Sequence, residues 1–176
     1  MKKSFLVFFA VIAFCMTSCE NWLTGESDHS PEIYASYFYV NPVFIGDSII
    51  SAEDTLFTRA TDTEGQYRVD SISLGDTVWF AATFYTHEKD LTGVSADWDT
   101  TLMDFSFHLT EGIIKQLTEG SKVEGGQLYF NPGFNRVSFP CTFSAKTHGI
   151  LPLKLTVAST SQYSPTAILM TIPVKR

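Results

Sequence analysis

Residues 71–86 have the sequence SISLGDTVWFAATFYT, in which a Gly75–Asp76 turn leads into a long run of alternating side chains. One set of alternate residues is entirely apolar and consists of Val78, Phe80, Ala82 and Phe84. The other set mixes hydroxyl and aromatic groups and consists of Thr77, Trp79, Ala81, Thr83 and Tyr85. A period of two is typical of a pleated strand. The segment therefore predicts a central β-strand whose apolar set faces the core.

Other parts of the chain repeat this alternation and predict further strands. They lie at residues 33–40, 43–50, 66–72, 103–109, 127–130, 136–145, 151–157 and 168–174. Residues 113–117 predict one short helix, and the polar residues 51–65 and 87–101 predict loops. About eight or nine strands with at most one short helix predict an all-β fold. An antiparallel β-sandwich is favoured over a closed barrel.

The last three predicted strands follow one another along the chain and are expected to be antiparallel. Each contains or adjoins a proline on the register opposite to the apolar one, namely Pro140, Pro152 and Pro173. Proline has no backbone donor for a sheet ladder. Each proline is therefore expected at a sheet edge, a bulge or the end of a strand.

The chain begins with Lys2 and Lys3, followed by 12 apolar residues from Phe5 to Met16. A membrane-spanning helix needs about 20 apolar residues. The shorter run, with its basic start, is typical of an export signal. An ordinary secretory signal is one interpretation of residues 1–18.

The tetrapeptide Met16-Thr17-Ser18-Cys19 resembles the lipobox of bacterial lipoproteins. This resemblance implies cleavage before Cys19 and acylation of that cysteine, with two or three acyl chains that anchor the protein stably. It also implies a cell-envelope location, anchored to the outer membrane and either periplasmic or surface-exposed. The chain then divides into a signal peptide (1–18), a lipidated N-terminus and tether (19–30) and a single domain (31–176).

Charge argues against some classes of partner. Without the leader, 158 residues remain, and loss of Lys2 and Lys3 changes the formal net charge from −7 to −9. Nucleic acids and anionic membrane surfaces bind basic patches. An acidic chain of this kind predicts no nucleic-acid partner.

The cysteines and histidines give no sign of catalysis or metal binding. Cys141 is the single cysteine left after Cys19, so no internal disulfide is expected, and its register places it in the core as a small hydrophobe. His87 and His108 lack the spacing of a metal site. No cofactor motif, nucleophile elbow or phosphate loop is present, which predicts a protein that is not an enzyme; a hydrolase is the weaker alternative.

Two parts of the chain resemble bacterial immunoglobulin-like domains. Residues 74–80 (LGDTVWF) resemble the turn and strand entry of those domains, and residues 136–174 resemble their last three strands. The resemblance implies an immunoglobulin-like β-sandwich. Triplets such as Asp70-Ser71-Ile72 and Asp76-Thr77-Val78 also resemble O-glycosylation acceptors of exported proteins in Bacteroidetes, although Asp followed by Ser or Thr is also ordinary turn chemistry.

Aromatic side chains off the core register are the candidate binding residues. Trp98 lies in a polar segment between Asp97 and Asp99, and Trp79 and Tyr85 lie on the second face of the central strand. Flat rings beside acidic acceptors suit sugars, and aromatic residues also anchor protein interfaces. For Trp79 the favoured interpretation is that the second face is covered as well, which would place the ring in the core. The sequence thus predicts a non-catalytic binding module for a glycan or a protein partner, with a structural or assembly subunit as the alternative.

Overall fold

The computed structural model describes residues 29–46 and 48–176. The predicted signal peptide, the lipobox with Cys19 and most of the tether lie outside the described residues. Within them the elements are β1 Glu32–Val40, β2 Val43–Ile45, β3 Ser48–Ser51, β4 Asp54–Leu56, β5 Thr58–Ala60, β6 Gln66–Val69, β7 Thr77–Tyr85, β8 Leu91–Trp98, β9 Met103–Phe107, α1 Glu111–Ile114, β10 Gln127–Tyr129, β11 Arg136–Ala145, β12 Gly149–Ser159 and β13 Thr166–Val174.

The strands form two layers and a separate hairpin. The first sheet has the order β4-β1-β7-β11-β9, and the second has the order β10-β8-β12-β13-β6-β5. Strands β2 and β3 make a two-stranded hairpin of their own. All pairings between named strands are antiparallel except that of β6 with β13, which is parallel. The protein is therefore all-β.

Seven of these strands have the immunoglobulin arrangement, in which strands A, B, E and D form one sheet and C, F and G the other. In the first sheet β1, β7, β11 and β9 take the places of A, B, E and D. In the second, β8, β12 and β13 take those of C, F and G. The predicted immunoglobulin-like β-sandwich is confirmed.

The core lies between the two sheets and follows the predicted registers. Val78, Phe80, Ala82 and Phe84 of β7 are all fully buried. The Phe80 ring stacks on Phe38 of β1 at a centroid distance of 4.8 Å. Cys141 is buried in β11, and burial raises the pKa of its thiol above the ordinary range. A neutral buried thiol is a poor nucleophile.

The three prolines lie where ladders end, as predicted. Pro140 pairs with Ala81 of β7, while the ladder to β9 begins only at Cys141. Pro152 pairs with β13, and the ladder to β8 begins at Leu153. Pro173 lies beyond the last residue of β13 that pairs with β6. In each case the missing donor falls outside a hydrogen-bonded ladder.

Several predictions about individual segments were wrong. The described residues contain thirteen strands rather than eight or nine, because residues 43–50 form two strands, β2 and β3, and residues 51–65 include β4 and β5. Residues 87–101 include β8, in which a short alternation of Val94, Ala96 and Trp98 with the polar residues Ser95 and Asp97 was missed. The last three strands do not form one antiparallel set. β12 pairs with β13, whereas β11 lies in the first sheet.

Candidate functional site

Trp79 lies on the outer face of the first sheet, where an inserted hairpin covers it only partly. Its cross-strand neighbour on β1 is Tyr39, with ring centroids 6.1 Å apart. Phe44 of β2 approaches the same indole edge-on at 6.2 Å. Trp79 therefore belongs to a cluster of aromatic rings outside the core rather than to the core itself.

A β-bulge in β1 adds another ring to this cluster. The register between β1 and β7 shifts between Ser36 and Tyr39, and Tyr37 at the shift has φ 59°. A left-handed backbone is unusual for a bulky side chain and is strained. Because of the extra residue, Phe38 keeps the core register while the Tyr37 side chain is 67% exposed. Bulges commonly re-aim a side chain next to a functional surface.

The hairpin of β2 and β3 carries apolar side chains that no described residue buries. Phe44, Ile45 and Ile50 are exposed, Ile45 to 69%. Gly46 occupies the tip with φ 59°. We refer to the exposed and half-exposed side chains of this region as the apolar patch, defined as Tyr37, Tyr39, Phe44, Ile45, Ile50 and Trp79.

A shallow depression of about 470 Å³ lies within the patch, of a size that suits a small group or an inserted side chain. Its lining residues are Tyr37, Tyr39, Ile49, Ile50, Ser51, Ala52, Thr55 and Trp79. None of these side chains is charged, and the polar groups among them are the hydroxyls of Tyr37, Tyr39, Ser51 and Thr55 and the indole N–H of Trp79. The depression thus offers apolar ring faces together with uncharged hydrogen-bonding groups.

Asn41 fixes the position of the hairpin relative to the sheet. Its side-chain amide donates to Glu53 Oε2 at 2.7 Å and to Asp76 Oδ1 at 3.1 Å. Its side-chain oxygen accepts from Thr77 N at 2.9 Å. Asn41 also has φ 47°, which asparagine tolerates better than most residues. The patch is therefore held at its base by a hydrogen-bonded turn.

Trp98 lies at the end of β8 on the core register, not in a loop. Its ring packs against Phe105 at a centroid distance of 5.1 Å. Asp99 accepts hydrogen bonds from the Thr101 hydroxyl at 2.6 Å and the Thr101 amide at 2.8 Å. These bonds hold the pKa of Asp99 below its ordinary value and give it a role in the turn. Asp97 is exposed on the outer face of the second sheet.

Tyr85 lies at the opposite end of β7 from Trp79. Its hydroxyl is 2.6 Å from His87 Nδ1, and His87 Nε2 is 3.2 Å from Glu32 Oε1. Tyr34 donates to the same carboxylate, and this hydrogen bond is the main cause that lowers the pKa of Glu32. The tyrosine is thus part of a surface hydrogen-bond chain.

The five residues predicted from the sequence do not form one site. Trp79 and Tyr85 are six positions apart on one strand, which is about 20 Å. Trp98, Asp97 and Asp99 lie at the end of β8 in the other sheet. Sequence reasoning missed the other members of the apolar patch. One signal was available in the sequence: in residues 43–50, both sets of alternate positions contain large apolar side chains.

Within residues 29–46 and 48–176, no group of three or more His, Cys, Asp or Glu side chains is placed to hold a metal ion. No helix in that part of the chain is both long and apolar enough to cross a membrane.

Comparison with known proteins assigns no family to the chain. No protein-family profile matches it, and no curated protein sequence is significantly similar. Solved structures with similar folds include the secreted serine protease VesC of Vibrio cholerae, with 10% identity over 68% of this chain and a TM-score of 0.40. This chain spans 23% of VesC.

Two smaller proteins are matched over nearly their whole length. One is the bacterial hydrophobin BslA, with 9% identity, a TM-score of 0.39 and coverage of 85% of this chain and 98% of BslA. The other is a PapD-like domain of human CEP192, with 8% identity, a TM-score of 0.35 and coverage of 76% of this chain and 99% of that domain. Scores of this size assign neither a family nor an activity.

Proposed function

We propose that the protein is a lipid-anchored, non-catalytic module of the bacterial cell envelope that binds a protein partner through the apolar patch. The observation that carries the proposal is the group of large side chains exposed around the hairpin of β2 and β3 and the adjoining outer face of the first sheet, where Phe44 packs edge-on against Trp79 beside the depression. Large exposed apolar patches mark interaction sites on soluble domains. Tryptophan and tyrosine are also the residues most enriched among binding hot spots.

The composition of the patch favours a protein partner over a glycan. Ile45 and Ile50 are aliphatic and exposed, and aliphatic groups gain little against a hydroxylated sugar surface. Against an apolar protein surface, their burial is worth roughly 25 cal/mol per Å². The aromatic rings would serve either ligand, so the aliphatic hairpin distinguishes the two classes.

The non-catalytic part of the proposal rests on the placement of the reactive groups. The thiol of Cys141 is buried in the core with a raised pKa. The best hydrogen-bonded histidine, His87, lies far along the sheet from the depression in the patch. The hydroxyls of Ser51 and Thr55 line the depression, but no histidine, carboxylate or lysine among its described lining residues is placed to activate them.

The lipid anchor gives a direct prediction for Cys19. We expect mass spectrometry of the native protein to find an N-terminus at Cys19 carrying two or three acyl chains. Replacement of Cys19 with serine should move the protein from the membrane fraction to the soluble fraction. The serine variant cannot carry the two or three acyl chains that give stable anchoring. An unmodified N-terminus at another residue would contradict the anchor but not the binding surface.

The binding surface is tested by a photo-cross-linking side chain placed at residue 45 in intact cells. Ile150 is the matched control, since it is the same residue type and 67% exposed on the outer face of the second sheet. We expect a discrete protein adduct from position 45 and none from position 150. Trp79→Ala should reduce the adduct about tenfold or more, as expected for a hot-spot aromatic.

Two results would reject the proposal of a protein partner. One is equal adduct formation from positions 45 and 150, which indicates random collision. The other is glycan-array binding that depends on Trp79 without any protein adduct, which would show that the patch binds sugar. Neither result affects the assignment of the fold.

A further inference from the structure

Among the residues that the structure describes, the first half of β1 is paired on one side only. Glu32–Ser36 pairs with β7, whereas β4 pairs on the other side with Phe38–Val40 alone. In an antiparallel ladder, every second residue directs its N–H and C=O away from a given neighbour. This five-residue segment therefore presents free backbone donors and acceptors at the edge of the first sheet.

The edge is free because the chain leaves the first sheet early. After β4 the chain crosses at Phe57 to become β5 of the second sheet. The crossing is fixed by two hydrogen bonds, Phe57 N to Asp70 Oδ2 at 3.0 Å and Asp70 N to the Phe57 carbonyl at 3.1 Å. Strands β6 and β5 then extend the second sheet beyond β13. Beside Glu32–Ser36, the first layer is thus one strand short of the second.

The missing strand leaves an apolar cleft between the layers. The cleft has a volume of about 180 Å³, and its apolar lining comes from Ile33, Ala35, Tyr67, Ile168 and Met170. Ile33, Ala35 and Tyr67 pack against the core yet stay only half-buried, because nothing described covers them on this side. At one end the cleft continues into a wider groove that includes Glu32 and Glu64.

We propose that this cleft binds an extended segment of a second polypeptide, which adds a strand to β1 beside Glu32–Ser36. In strand addition, the main chain supplies affinity and alternate side chains enter pockets that supply specificity. The cleft selects apolar residues at alternate positions of the segment. The exposed carboxylate of Glu64 selects a basic residue at the end of the segment that reaches the wider groove, since the Glu32 carboxylate is already bonded to Tyr34 and His87. The site adjoins the apolar patch at Tyr37 but lies in the cleft between the layers, whereas the patch lies on the outer face; it does not depend on the proposed function.

A second copy of the same chain does not fit this edge. Pairing two β1 edges would bring β5 and β6 of each copy, which project beyond β13, into the same space. A single extended segment without a second layer has no such obstruction. The length is limited at one end by Pro31, which has no donor, and at the other by the bulge at Tyr37.

The test uses the full mature chain and a capped hexapeptide of sequence KVTVTV. A peptide of the same length with its central Thr-Val replaced by Pro-Pro serves as the ligand control, since one of the two missing donors faces β1 in either register and the ladder cannot be completed. At a peptide concentration of about ten times Kd, exchange of the edge-facing amides within residues 32–36 should slow about tenfold. Ala35→Leu, which fills the cleft, should weaken binding about tenfold or more, whereas Ser106→Leu on the exposed face of β9 should leave it unchanged.

Slower exchange with KVTVTV but not with the proline peptide supports the proposal even if Ala35→Leu fails to fold. Unchanged exchange at the highest soluble peptide concentration overturns it. So does equal protection by both peptides. Protection of residues 32–36 before any peptide is added also overturns it, whether residues 20–28 of the chain itself or a concentration-dependent dimer is the cause.

Discussion

Replacing Phe80 with alanine is expected to lower the free energy of unfolding by about 3–5 kcal/mol. Phe80 is fully buried at the centre of the first sheet, stacked on Phe38 and within 6.1 Å of Phe143, centroid to centroid. Truncation removes the buried ring and leaves a cavity that a sheet cannot easily close. Since domains of this size have a total stability of about 5–15 kcal/mol, the variant should be close to unfolding.

Urea unfolding followed by circular dichroism measures this change. Phe57→Ala is the matched control, because Phe57 is 67% exposed and outside the core. We expect the control to change stability by less than about 0.5–1 kcal/mol. A similar loss for both variants would contradict the assignment of Phe80 to the interface between the two sheets.

Gly126→Ala is expected to destabilise the fold by about 2–4 kcal/mol through strain and collision together. Gly126 has φ 68°, and a Cβ placed there would lie 2.5 Å from Trp98 Cζ3 and 2.8 Å from the Ala96 carbonyl oxygen. The backbone oxygen belongs to β8 and cannot move without breaking its pairing with β12. The substitution should also alter the fluorescence of Trp98, since the indole must shift.

Alanine substitutions at two other glycines separate the effect of backbone strain from that of steric collision. Gly125→Ala meets only ordinary contacts, the nearest at 3.5 Å to Lys122 Cβ, and should be nearly neutral. Gly75→Ala has the strained φ of 90° but nothing within 4 Å of a Cβ, so it should lose only the conformational part, about 1–2 kcal/mol. Equal effects at Gly126 and Gly125 would show that the packing of Trp98 is looser than described.

The sequence was sufficient to predict the core because burial and alternation coincide there. In β7 the four apolar positions from Val78 to Phe84 are buried and their neighbours face outward. The same holds for Leu151 to Val157 in β12. Strands buried on one face have a strong period-two signal, and no partner needs to be known to detect it.

The signal fails where the alternation is short and lies among polar residues, or where the register shifts. In β8 the inward residues Val94, Ala96 and Trp98 alternate with Ser95 and Asp97 over only a few positions, so Trp98 was placed in a loop. Tyr37 turns outward because of a bulge, and a bulge is set by the partner strand rather than by local sequence. The apolar patch could not be predicted because it combines β1, β7 and a hairpin that meet only in the folded chain.

Cross-linking in intact cells, from residue 45 in the apolar patch and from residue 97 beside Trp98, compares the two candidate surfaces directly. Both positions are exposed, and they lie in different parts of the fold. A protein partner at the apolar patch predicts a discrete adduct from position 45 that Trp79→Ala reduces about tenfold or more, and no adduct from position 97. An adduct from position 97 alone would contradict the account.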